Sequence, residues 1–339
     1  LWAAELLLLV YPLLMDDLSA FAPAFPESDP LRLADFLSER LLVASFNTLR
    51  LGITVSLLSL ITGAAFALLA VQSQRDRWID LIMSMPFLTP PFLASFAWSL
   101  AVGPRGYLGR LGLFGGEMEK IVFSFWGLSL LMAVHYSPIV YFAVRAQIEK
   151  VPTTLLWAAQ IAGAKPARIV GRILLPIVLP ALLAGGFLAF ACAIEEYGTP
   201  LVVGNRIGFP VISTEIGRIV RVYPINLTLA SALASLLFAL AGGVYFTSYL
   251  LQRGTKTSAK PSAHPMPNLL SRWTRVGLWC FVAIYFLFTI VIPYSSMLMT
   301  SLLKLVSAGP TFANLTLRHY LEGLTDDSSG LRQALVVSF

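Results

Sequence analysis

Apolar residues run along this chain in blocks of about twenty or more, and polar residues are confined to the gaps between them. Six blocks are complete: Phe46 to Val71, Ile79 to Val102, Phe125 to Val144, Ile173 to Ile194, Thr228 to Leu251 and Val276 to Met299. Each is long enough to cross a hydrocarbon core of roughly 30 Å as a helix. They are predicted to be helices because lipid offers no partner for an unpaired backbone amide or carbonyl. An apolar run from Leu1 to Leu14 is too short to span, and Ala334 to Phe339 (ALVVSF) opens another, so the chain reads as a fragment with eight helices, whole and partial. Pro86, Pro90, Pro91, Pro138, Pro176, Pro180 and Pro293 fall inside the blocks. Each removes a helix hydrogen bond, which a bundle tolerates where neighbours or a water-lined path satisfy the freed carbonyl.

Composition narrows the class. The 339 residues are 57% hydrophobic and 12% charged, with a mean hydropathy of +0.76, against about 25% charged in an ordinary soluble domain. This excludes a soluble enzyme, a secreted disulfide scaffold and a nucleic-acid binder. The basic pI near 9.4 becomes a question of loop charge. Loops 72 to 80, 145 to 172 and 252 to 275 hold twelve Lys/Arg and three acids, Asp76, Asp80 and Glu149. The opposite set, 16 to 45, 103 to 124, 195 to 227 and 300 to 333, holds eleven Lys/Arg and fourteen acids over about twice the length. Lys and Arg are retained on the cytoplasmic side, so the first set is predicted to be cytoplasmic. Cys192 and Cys280 both lie in apolar blocks without CxxC or zinc spacing and read as small packing side chains.

The stretch Arg253 to Pro267 (RGTKTSAKPSAHPMP) is polar and rich in Pro, Ser and Lys, the composition of a flexible linker. Beyond this linker the chain repeats its own beginning. LLLLVYPLLM with Pro12 matches FLFTIVIPYSSM with Pro293, and LLVASF ending at Phe46 matches ALVVSF ending at Phe339. The expected organisation is a first half over 1–252, a cytoplasmic linker over 253–275, and the start of a second, truncated half over 276–339. Parallel duplication of this kind builds transporters with a pseudo-symmetric path between the halves.

The cytoplasmic loop 152–176 carries a pattern: Trp157-Ala158-Ala159, three residues, Gly163, nine residues, then Ile173-Leu174-Leu175-Pro176. Physically it reads as two short helices, the first from Thr153 to Ala162, with Gly163 as the left-handed residue that ends it and Pro166 opening the second. Ala158 and Ala159 leave a low surface that can press into a groove on another protein. The pattern resembles the EAA signature of binding-protein-dependent ABC importer permeases, with Trp157 where that family usually has Glu. Asn47-Thr48-Leu49, Pro86 to Pro91, His135-Tyr136 to Tyr141 and Glu195-Glu196-Tyr197-Gly198-Thr199-Pro200 resemble the ferric-iron type, in which two six-helix halves share one chain.

That resemblance implies an all-α, polytopic helical bundle of the type I importer permease (MetI-like) fold, in a bacterial inner membrane. It implies a cytoplasmic ATP-binding cassette ATPase dimer coupled through Trp157, Ala158, Ala159, Gly163, Ile173, Leu175 and Pro176, and a periplasmic or extracellular binding protein that delivers the solute. Ferric iron is the leading solute, with thiamine, aminoethylphosphonate and polyamine as alternatives. It also implies a second EAA-like loop beyond Phe339. The chain has no GxxxxGK[ST] loop to cradle phosphates, so ATP hydrolysis falls to the separate subunit. No catalytic, cofactor or metal site is expected. An ion-coupled secondary transporter, the lesser alternative, would need paired ionisable residues in mid-span, of which the sequence has almost none, and a membrane enzyme would need a clustered constellation, which does not appear.

Glu195, Glu196, Tyr197 and Gly198 stand where a helix meets the outer surface, as an ordinary helix end or as a gate or docking point. His135 lies among Met132, Tyr136 and Pro138 with no second ligand at helical spacing, and reads as a packing residue. Arg50 either snorkels to the outer interface or faces the path. Trp98, Tyr107, Tyr197 and Tyr223 read as interfacial aromatics.

Overall fold

The computed structural model describes residues 30–73, 76–103, 106, 108, 117–223, 225–252, 266–305, 308–309 and 311–325. Its helices are α1 (Pro30–Val71), α2 (Asp76–Ser84), α3 (Pro91–Val102), α4 (Glu117–Val122), α5 (Phe125–Ile148), α6 (Thr153–Ile161) and α7 (Pro166–Ile169). They continue with α8 (Leu175–Glu195), α9 (Ile212–Arg221), α10 (Leu227–Gln252), α11 (Arg272–Phe286), α12 (Ile292–Ser301) and α13 (Arg318–Thr325). Among the described residues the extended pairing is one isolated bridge, Leu303 with Leu315.

Five helical runs are long and apolar enough to span: 40–71, 125–148, 166–195, 227–250 and 272–301. The block Ile79 to Val102 differs from its expected single helix, because Arg77–Phe87 and Pro91–Val102 meet at 91°. The cause is local. Pro91 starts α3, and Thr89, ahead of Pro90, is forced to an extended φ of −119° and ψ of 135°, as residues before proline are. Two other runs are continuous but loosened. π-helical turns at Val170–Leu174 and Leu287–Val291 immediately precede Leu175-Pro176 and Ile292-Pro293, where a ring without an N–H cannot close the α-helical ladder.

Small residues bring α1, α5 and α8 together. A Cβ on Gly63 would lie 2.7 Å from Val140 Cβ, and one on Gly185 3.0 Å from Val140 Cα. Helix packing in lipid relies on such close approach and on hydrogen bonds between helices. Here Ser56 Oγ donates to Gly186 O at 2.7 Å and Ser59 Oγ to Ala133 O at 3.1 Å. Leu51, Val55, Phe66, Leu128, Met132 and Val140 are buried around this crossing.

The two ends of the bundle are tied separately. At one end Asp80 accepts from Tyr141 Oη at 2.6 Å and pairs with Arg145. There too Gln72 donates to Pro267 O at 2.8 Å and accepts from the Leu269 and Leu270 amides. Parts of the three basic loops thus share one end, as the charge pattern requires. At the other end Asn47 Nδ2 donates to Pro210 O and Thr48 Oγ1 accepts from Ile212 N, both at 2.9 Å. Buried Glu215 is held there by Arg40 and Arg218.

The aromatics are corrected in part. Trp98 is no interfacial side chain: it is 1% exposed, and its indole finds its partner inside the bundle, at Phe288 O. Tyr223 is 85% exposed, and Tyr107 lies outside the described residues, as do residues 1–29, 253–265 and 326–339, on which the repeat and linker readings rest. Arg50 sits with its guanidinium 4.1 Å over the Phe125 ring. His135 makes an edge contact with Tyr136.

Candidate coupling loop and outer junction

The chain leaves α5 at the basic end and turns through Val151 and Pro152 into α6. Leu156, fully buried, and Ile169, 1% exposed, pin α6 and α7 to the bundle. The opposite face of the corner is turned to the surface. Trp157, Ala158, Ile161 and Gly163 are exposed, Ala159 is half-buried, and Lys165, Arg168 and Arg172 are exposed beside them.

Gly163 has φ 82°. Ala164 N donates back to Ala159 O at 3.0 Å, and Gly163 N to Gln160 O at 3.0 Å. This is the six-to-one and five-to-two pairing of a Schellman end, with Gly163 at the left-handed position. The predicted helix, its glycine stop and the Pro166 start are therefore seen as the spacing requires. A Cβ on Gly163 would meet nothing within 4 Å. The constraint on that glycine within this chain is thus backbone conformation, and the space above it is open. Ile173 is half-buried, while Leu175 and Pro176 are exposed. They join α7 through the π-turn to α8, so the second helix of the loop and the span form one run, Pro166–Glu195.

At the far end of α8, Glu195 is exposed and Glu196 is not free. Both Glu196 carboxylate oxygens accept from Thr199 N, at 2.9 and 3.0 Å, the bond an N-cap makes three residues ahead. Burial raises its carboxyl above the usual range, and the Thr199 and Gly198 donors oppose that rise. Ser213 Oγ donates to Glu196 O at 2.9 Å and Ser95 Oγ to Thr199 Oγ1 at 3.0 Å. A Cβ on Gly198 would fall 2.3 Å from Phe92 Cβ, and one on Gly217 2.5 Å from the Tyr197 ring. Residues 196–199 are the knot that joins α3, α8 and α9.

Some tying residues were invisible as such in the sequence. Asp80 and Arg145 appeared only as loop charges, and Trp98 only as an aromatic. Among the described residues no group of three or more His, Cys, Asp or Glu is placed to hold a metal ion.

The family model for the inner membrane component of binding-protein-dependent transport systems matches residues 55–255, and the chain belongs to that family. A permease of Salmonella choleraesuis named for 2-aminoethylphosphonate transport is 29% identical over 50% of this chain and 61% of its own length. One of Haemophilus influenzae named for ferric transport is 25% identical over 83% of this chain and 46% of its own length. The Escherichia coli molybdenum transport permease is 30% identical over 38% of this chain and 56% of its own. The chain thus spans about half to three fifths of the length of these relatives.

Proposed function

We propose that this chain is the membrane-spanning subunit of an ATP-driven importer, with the corner Trp157–Pro176 as the seat for a separate cytoplasmic ATPase dimer. The observation that carries the reading is the exposed apolar face of α6. Leu155, Trp157 and Ile161 are 46%, 39% and 85% exposed at the basic end of the bundle, on a corner joined directly to a span. We read such a face as the seat of a protein partner, and low-relief Ala158 lets that partner approach the backbone. Trp157, in place of an acid, presents ring area to the partner. ATP-driven closure of the partner moves the corner and α8 together, and the bundle alternates between outward and inward openings. The outer knot at 196–199 transmits that motion to α3 and α9, and exposed Glu195 beside it offers a contact for a solute-binding protein.

Ferric iron is the solute we favour, because the ferric-named relative aligns over 83% of this chain. Aminoethylphosphonate is the second reading, favoured by the higher identity of its relative over the shorter stretch.

The test uses Ala159→Asp and Gly163→Val. The first puts an unpaired charge into a packed interface, and the second strains the left-handed turn by about 1–2 kcal/mol. Both variants should insert in the membrane, lose ATPase co-purification and abolish uptake. Normal uptake and normal co-purification in both would leave the loop a passive connector and remove the main support for the reading. Uptake of radioactive iron, with aminoethylphosphonate as the parallel solute, decides between the two.

A further inference from the structure

Pro138 and Pro293 each break a membrane-length run that is hydrogen-bonded to a helix on the other side of the linker. Pro138 lies inside α5. In an α-helix the carbonyl of Val134 bonds the N–H four residues on, at position 138, and proline has none to give. Val134 O instead accepts from Tyr285 Oη at 2.8 Å, with Ser137 Oγ at 3.0 Å as a second donor. Tyr285 belongs to α11, beyond the linker, and is 3% exposed.

The run that carries Tyr285 has a break of its own, and the donor for it comes from α3. In the π-turn Leu287–Val291 the N–H of Ile292 reaches back five residues to Leu287 O. The next such bond would run from position 293 to Phe288 O, and position 293 is proline. Phe288 O accepts instead from Trp98 Nε1 of α3 at 3.2 Å, with the two ring centroids 4.4 Å apart and the planes tilted by 37°.

We propose that these two breaks are a matched pair: each side supplies the aromatic donor that satisfies the carbonyl freed by the other side's proline. A backbone carbonyl left without a donor in lipid or in a dry interior is strongly unfavourable. Separating α11–α12 from α3 and α5 would remove the Trp98 donor from Phe288 O and leave Val134 O to Ser137 Oγ alone. The exchange fixes the register of Arg272–Ser301 on the helices that precede the linker and holds that run to them. The tie therefore crosses the linker, although the sequence repeat places its boundary there.

The experiment is a pair of double-mutant cycles on the full chain in lipid nanodiscs, read by thermal midpoint. Tyr285→Phe is expected to lower the midpoint by a few degrees, and that loss should vanish in a Pro138→Ala background, where residue 138 regains its N–H. Trp98→Phe against Pro293→Ala forms the second cycle, with the same expectation. Losses of equal size with and without the proline would overturn the proposal, because the aromatic rings would then act through packing alone. Where a proline variant fails to fold, amide exchange on Trp98→Phe alone decides. Faster exchange in residues 131–138 as well as 287–292 supports the pairing, and a rise confined to 287–292 overturns it.

Discussion

At the level of single residues, glycine positions separate conformational demand from space. Gly163 needs a left-handed backbone but has open surroundings, so Gly163→Asn, which tolerates that conformation, should keep much of the uptake that Gly163→Val loses. Gly198 is the reverse: it has an ordinary backbone, and a methyl group there runs into Phe92. Gly198→Ala should cost about 1–3 kcal/mol by overpacking, seen as a lower thermal midpoint, whereas wild-type stability would show that α3 yields. Glu196 adds a pH dependence. A carboxyl raised by burial contributes stability that is full below its unfolded value and lost as pH rises through the folded one. Glu196→Gln keeps an acceptor for Thr199 N without the charge, so its midpoint should exceed that of wild type by more in mildly alkaline than in mildly acidic buffer. A parallel pair of pH curves would refute the assignment.

Between elements, the link nearest the proposed ATPase seat is α2 to α5. Asp80 receives Arg145 and the Tyr141 hydroxyl, just upstream of the corner at 153–176. The Arg145 and Asp80 side chains are 16% and 33% exposed, so the pair lies between a screened surface bridge and a buried one, at about 1–2 kcal/mol. Arg145→Asp should uncouple ATP hydrolysis from uptake more than it lowers expression. The exchange Asp80→Arg with Arg145→Asp should recover part of the uptake, and failure of the exchange to recover any would assign Arg145 to Glu149 or to packing instead. The helix limits in this region were legible locally. Gly163 and Pro166 act on their own backbone, so spacing alone places them. The 91° bend was not, because prolines mark a weak point without fixing its angle. That angle depends on what α3 packs against, including Thr199 and Phe288.

For the molecule as a whole, the basic loops gather at one end and the knot of α3, α8 and α9 at the other. Single cysteines at Ala167 and Tyr223, in a chain lacking Cys192 and Cys280, should report this directly. An impermeant thiol reagent applied outside should label the position-223 variant and spare the position-167 variant. The reverse pattern would invert the proposed orientation.

The sequence alone determined that this is a polytopic helical bundle, which end holds the basic loops, and where the exposed corner turns. Those properties come from local chemistry: apolar length against a hydrocarbon core, charge retained in loops, and a glycine that ends a helix. Tertiary structure alone decided which partners the Val134 and Phe288 carbonyls find, that Trp98 is interior, and that Glu196 caps its own chain. Trp98 and Phe288 are 190 residues apart and Asn47 and Pro210 are 163 apart. No periodicity or spacing links such positions, because only the packing of helices distant in sequence brings them within hydrogen-bond reach.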